Sequence, residues 1–184
     1  NKLLVIESDE FNRHFLAYHP KTAVITCVEL EHTEIYKDLA DTIETFEKFA
    51  NKAELVVANG DDKNIRQIKF NNKVIFYGEN SDNDYIIKNI KLESDGSHFD
   101  LYEKDKLLSD FFVPLYGHHM VMNTAASIIV ALQNNLTVEE IKKLLENFKN
   151  AARRFAIEEV NGTIIVDDYA HHPTELKATL SAAK

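Results

Sequence analysis

Cysteine is all but missing from this sequence. Cys27 stands alone, inside the apolar run AVITCV, where a small buried hydrophobe is the expectation. A disulfide framework is excluded and a reducing compartment favoured. Zinc motifs are missing too: there is no HExxH and no CxxC pair, and adjacent histidines such as His171 and His172 point apart on a strand or a helix. No GxSxG elbow supports a serine hydrolase, and no GxxxxGK[ST] phosphate loop occurs. No apolar run approaches the ~18 residues of a membrane helix, and no signal-peptide pattern opens the chain. Basic residues are scarce as well: 21 Lys and Arg against 30 Asp and Glu give a net charge of −9 and a pI near 5.4. That balance argues against a broad nucleic-acid surface. It leaves room for nucleotides, which a few cations and backbone N–H groups can hold.

What is present suits a globular α/β protein. The 184 residues, 45% apolar and 28% charged, build one large domain, or one domain with part of another. LLVIE (3–7) and TAVITCV (22–28) are near-continuous apolar runs, the pattern of parallel strands buried on both faces. A chain that opens inside an apparent strand reads as a fragment. Acidic and polar residues follow both runs (ESDE, then ELEH), at the strand ends where open α/β sheets gather ligands. Leu39, Ile43, Phe46 and Ala50 recur at helical spacing, and ELVVANGDD (54–62) reads as strand then turn. Between about 64 and 113, IRQIKF, KVIFYG, DYIIKNIKLE, HFDLYEK and LLSDFFV read as short strands of a small, mainly antiparallel region away from the parallel core. After YGHHM, Val121, Ala125, Ile128 and Leu132 line a helix. Thr137 and Glu140 form a capping box for the next helix, which carries Ile141, Leu144, Leu145 and Phe148. FAIEEV and TIIVDD flank Asn161-Gly162, a two-residue hairpin signal. Pro173 suits the first turn of a last helix.

Several constellations have chemical meaning. Glu7, at the end of the first run, suits magnesium, which takes one or two carboxylates with water and phosphate; the alternative is a solvated acid. His32 lies among acids and is either a ligand steadied by a carboxylate or a surface histidine. His118 and His119 open a helix, where free N–H groups favour anions. Asn123 is one turn beyond His119 and offers the donor and acceptor a purine edge needs; a capping region with a buried Asn reads equally well. Arg153 and Arg154 suit phosphate or are merely solvated. DDYAHHPTE (167–175) crowds two acids, a tyrosine and two histidines before a proline: a metal site, a catalytic corner or the polar cap of a helix.

Taken in order, IESDE, VELEH, YGHHMVMN, ARRF and DDYAHHPTE resemble the Mur ligases, ATP-dependent enzymes of peptidoglycan precursor synthesis. DDYAHHPTE with RRF before it is most similar to the branch that joins L-alanine to the carboxylate of UDP-N-acetylmuramate through an acyl phosphate. The resemblance runs through nearly the whole chain and is weakest in the β-rich middle. It implies a bacterial cytoplasmic enzyme using ATP and Mg2+. It implies that residues 1–166 belong to the central ATP-binding domain without its phosphate loop, with a β-rich subregion at about 64–113. Residues 167–184 then form a hinge and the first helix of the C-terminal domain. Missing N- and C-terminal domains would complete the site, so the fragment alone is expected to be inactive. By position, the resemblance assigns magnesium to Glu7 and His32. It assigns the nucleotide to His119, Asn123, Arg154 and Asp168, and the acyl phosphate and incoming amino acid to Tyr169 and His171. His172 receives no role beyond capping the helix. Met120 departs from the family's HNVxN pattern and lacks the amide that the family's asparagine offers the adenine. Glu31 replaces the usual Asp before the histidine, and Lys48 is not assigned as a carbamylated lysine. Two other readings are a peptide-recycling or folate-type ligase of the same fold, and a non-catalytic nucleotide- or metal-binding module.

Overall fold

The computed structural model describes residues 3–183. It divides into two compact units, one running to Asp84 and the other starting at Tyr85. Each has its own core, and together they give the expected α/β class.

The first unit contains β1 (Thr22–Ile25), α1 (Leu39–Ala50), β2 (Leu55–Asn59) and β3 (Lys73–Gly78). The three strands are parallel and lie in sequence order, with Val24 opposite Val57 and Val57 opposite Ile75. β2 is central, and Val56, Val57 and Ala58 are all fully buried, as a two-sided parallel strand requires. α1 starts at Asp38, whose side chain accepts from the Asp41 N–H at 2.9 Å, a standard N-cap. Its Phe49 and Ala50 pack with Ala23, Ile25, Val56 and Ala58. Phe15 stacks on Phe49 with centroids 4.7 Å apart. Each such ring contributes about 1.5–3 kcal/mol by leaving water.

The second unit holds the antiparallel strands β4 (Tyr85–Glu93), β5 (Gly96–Glu103) and β6 (Lys106–Val113), then α2 (His118–Gln133) and α3 (Val138–Glu146), the hairpin β7 (Ala156–Val160) and β8 (Thr163–Asp167), and α4 (Pro173–Ala182). α2 buries Val121, Ala125 and Ile128 as expected, and also Met122, Ala126 and Ile129. α3 carries the expected reciprocal box between Thr137 and Glu140. Asn161 (φ 53°) and Gly162 (φ 78°) take the left-handed pair that a tight type I′ turn needs.

Six expectations need correction. Residues 3–7 form no strand and are exposed, Val5 to 93%. A strand needs a hydrogen-bonded neighbour as well as apolar side chains, and none pairs with this run among the described residues. For the same reason β1 covers only four residues of TAVITCV, with Val24 on an exposed face. Cys27 lies beyond the strand and is exposed, not buried. IRQIKF is no strand: Ile65–Gln67 is a 3-10 turn. KVIFYG is β3 and pairs in parallel with β2, so the antiparallel region starts at Tyr85 and not near residue 64. Turn residues on both sides of KVIFYG look alike in sequence whether the strand returns parallel or antiparallel. Phe148 falls beyond the end of α3 and is exposed.

Candidate functional site

In the first unit, functional groups collect beyond the carboxyl end of β1. Glu10, Glu31 and His32 bring one ligand atom each within 4.8 Å of one another, and all three are half-buried. His32 Nε2 is 3.3 Å from Glu10 Oε1, and its Nδ1 is 3.8 Å from Glu34 Oε1. The His32 backbone is left-handed (φ 50°), and its carbonyl accepts from Ile35 and Tyr36. That turn swings the imidazole back toward Glu10. The buried Tyr36 hydroxyl donates to the Glu10 carbonyl at 2.6 Å, and burial raises the Tyr36 pKa, so the donor stays protonated. Two carboxylates and one imidazole suit a hard divalent cation such as Mg2+ or Mn2+. Of the two expected metal residues, His32 lies in this cluster, while Glu7 is exposed and outside it. Glu10 was missed. In sequence it looks like one more acid in ESDE, and only the backbone turn at His32 pairs them. Lys48 forms an i,i+4 ion pair with Glu44 at 2.7 Å.

The second unit brings the remaining expected residues together around the start of α2 and of α4. Gly117 is the N-cap of α2 at φ 95°; a Cβ there would meet the His119 ring at 3.0 Å and Ala182 at 2.9 Å. His119 is half-buried, and its Nδ1 is buried with no hydrogen-bond partner among the described residues. Burial lowers its pKa against the opposing pull of Asp168, so the ring favours its neutral form. A buried ring nitrogen without a partner fits a ligand that supplies one. Asn123 is exposed one turn further along α2.

Asp168 joins two strands of sequence. Its Oδ2 accepts from the Phe155 N–H at 2.7 Å, and its Oδ1 accepts from the Ala170 N–H at 2.8 Å. Phe155, buried and left-handed at φ 51°, is a residue sequence reasoning passed over. The Tyr169 N–H donates to the Arg153 carbonyl at 2.9 Å. The guanidiniums of Arg153 and Arg154 lie 5.4 and 5.9 Å from the Tyr169 ring centre. Tyr169 meets His171 edge-on at 5.3 Å. Glu175 Oε2 accepts from the N–H groups of His171 (3.1 Å) and His172 (3.3 Å). Burial pushes the Glu175 carboxyl up, but these two N–H groups together with the charges of His171 and Arg154 hold the pKa low. His172 is the N-cap of α4, its Nδ1 accepting from Thr174. DDYAHHPTE is thus both a helix cap and a display of Tyr169 and His171 beside two arginines.

Residues 2–131 match the Mur ligase middle domain. The chain belongs to the Mur ligases. It is 40% identical over its whole length to a UDP-N-acetylmuramate–L-alanine ligase of Limosilactobacillus reuteri, and 42% identical to one of Lacticaseibacillus paracasei. In each case it spans 42% of the relative's length. Among solved structures it resembles the MurC of Thermotoga maritima, a UDP-N-acetylmuramate–alanine ligase (TM-score 0.81, 23% identity, 94% of this chain and 40% of that one). It also resembles the MurF ligase of the same organism, solved in complex with ADP (TM-score 0.78, 22% identity, 92% and 40%). These two show a shared fold. The family match covers the first unit and the second through most of α2, so the Mur ligase middle domain includes the Glu10–Glu31–His32 cluster and the His119 region. Arg154 and the DDYAHHPTE segment lie beyond the family match, within the span aligned to the two ligases.

Proposed function

We propose that this chain is part of an ATP-dependent ligase that joins L-alanine to the carboxylate of UDP-N-acetylmuramate, in the bacterial cytoplasm. The single observation that carries the reading is the 40–42% identity, along the whole chain, to ligases of that name. The site chemistry agrees with it. Residues 1–166 would belong to the central domain, and 167–184 would lead into the next.

In this reading the substrate carboxylate oxygen attacks the γ-phosphorus of ATP, and ADP leaves. The amine of L-alanine then attacks the acyl carbon, gives up a proton and expels phosphate. Glu7 and His32 would hold magnesium, with Glu10 and Glu31 closing around His32. The cation, when bound, neutralises phosphate charge and the charge that develops during transfer. The neutral His119 would give or accept one hydrogen bond to the nucleotide through its unpaired Nδ1, and Asn123 would read the adenine edge. Arg154 would hold phosphate in the fork geometry that guanidinium favours. The lone pairs that Asp168 has left after its two backbone bonds would meet the ribose. Tyr169 and His171, exposed and fixed edge to face, would meet the acyl phosphate and the amine.

The 184 residues contain no phosphate-loop motif, so on their own they are expected to release no phosphate from ATP in the presence of UDP-N-acetylmuramate and L-alanine. In the full-length protein the same mixture should release it, and Glu7→Ala should lower turnover by orders of magnitude through lost charge stabilisation. A full-length protein that ligates a tripeptide or a glutamate to folate instead of L-alanine would reject the substrate assignment. An unchanged turnover and magnesium dependence in Glu7→Ala would reject that residue's role.

A further inference from the structure

The loop after β2 grips the chain just where it leaves β1. Asn59 Nδ2 donates to the Thr26 carbonyl at 3.1 Å. Asp62 Oδ2 accepts the Val28 N–H at 3.0 Å, and Asn64 Nδ2 donates to the Val28 carbonyl at 2.7 Å. Both polar groups of Val28 are therefore bound by side chains where the β ladder has already ended at Ile25. The grip is itself braced. Asp62 Oδ1 accepts from the N–H groups of Asn64 (2.7 Å) and Ile65 (3.2 Å). Gln67 Nε2 donates to Asn64 Oδ1 at 3.3 Å, which fixes the amide with its nitrogen toward Val28. Val28 is fully buried and Asn64 nearly so.

Beyond Val28 the chain runs through Glu29, Leu30 and Glu31 to the left-handed turn at His32. Glu31 and His32 thus hang between two fixed points, the Val28 clamp and the bonds from Ile35 and Tyr36 to the His32 carbonyl. Glu10 is fixed separately by Tyr36. We propose that Asp62 and Asn64, neither a member of the Glu10–Glu31–His32 cluster, are positioning residues for a divalent cation held there. The proposal rests on reading that cluster as a cation site. Partners that bond a ligand directly are commonly worth about 10–100-fold in metal affinity; a clamp on the backbone at Val28 sets ligand direction at one remove, so its loss is expected at the low end of that range.

The test uses the 184-residue chain with labelled histidines, and Mn2+ as a paramagnetic probe. Asp62→Ala removes three acceptor contacts and endangers the fold, so Asn64→Ala carries the test. Asn83→Ala is the control. Asn83 is equally buried in the same unit, bonded to Asp61 and Arg66 and not to Val28. The expected result is selective broadening of the His32 ring by Mn2+, at about ten-fold higher Mn2+ in Asn64→Ala and at unchanged Mn2+ in Asn83→Ala. Backbone shifts at 28–32 should move in the first variant only. Equal Mn2+ affinity and unchanged 28–32 shifts in Asn64→Ala overturn the proposal, as does an equal loss in both variants. If Mn2+ fails to broaden His32 even in the unaltered chain, the cation reading falls. The clamp is then judged by the 28–32 shifts alone: movement confined to Asn64→Ala supports it and no movement removes it.

Discussion

Asp168 has both carboxylate oxygens engaged by backbone N–H groups, from Phe155 and from Ala170. Removing the side chain leaves those donors without a partner in half-buried surroundings. Asp168→Ala should therefore cost about 1–3 kcal/mol of stability, and Asp168→Asn, which keeps one acceptor, less. Urea unfolding of both variants measures this, and an Asp168→Ala chain as stable as the parent would show the two bonds to be idle. The acid itself was legible in DDYAHHPTE. Its partner was not, because nothing in ARRF signals that a phenylalanine will turn left-handed and present its N–H across thirteen positions of sequence. Glu10 was hidden in the same way, since a pairing made by one backbone turn at His32 leaves no trace in residue spacing.

At the scale of the element, α4 shows how a motif serves two ends. Pro173 fills the first helical position, and His172 and Glu175 exchange caps around it. The low pKa of Glu175 sets the sign of a pH effect. A carboxyl that is more acidic folded than unfolded stabilises the helix above its ordinary pKa, and that stabilisation is lost as pH falls through the lowered folded value. Helicity of α4, followed by residue-specific amide shifts, should thus hold at neutral pH and fray as pH drops below about 4. Glu175→Gln should remove this carboxyl titration; an identical acid profile in the variant would exclude Glu175 as its source. Helix starts such as this one and Thr137–Glu140 were readable because capping is local. The run LLVIE has the composition of a strand and forms none, because a strand is not local: its hydrogen bonds belong to a neighbour that the run itself does not specify.

Across the whole molecule, apolar side chains remain at the surface of both units. Val5 is 93% exposed, Leu4 84% and Ile164 69%. Exposed apolar side chains bind hydrophobic dyes, so the chain should enhance the fluorescence of an anilinonaphthalene probe severalfold, and Val5→Lys combined with Ile164→Lys should reduce it. Enhancement equal to that of an ordinary compact domain, or unaltered by the substitutions, would show these side chains to be covered in solution. No helix among the described residues is long and apolar enough to cross a membrane, as the lack of long apolar runs led us to expect.

The sequence alone determined the α/β class, α1 to α4, the Asn161-Gly162 hairpin, the starts of α3 and α4 and the family, because periodicity, capping and turn chemistry act within a few residues and the motifs keep their order. Tertiary structure alone decided that KVIFYG runs parallel to β2 and that LLVIE pairs with no strand among the described residues. It also joined Glu10 to His32, stationed Asp62 and Asn64 on Val28, and left His119 Nδ1 buried without a partner among the described residues. Each of these depends on which distant segment supplies the hydrogen-bond partner, and that is settled only when the chain closes on itself.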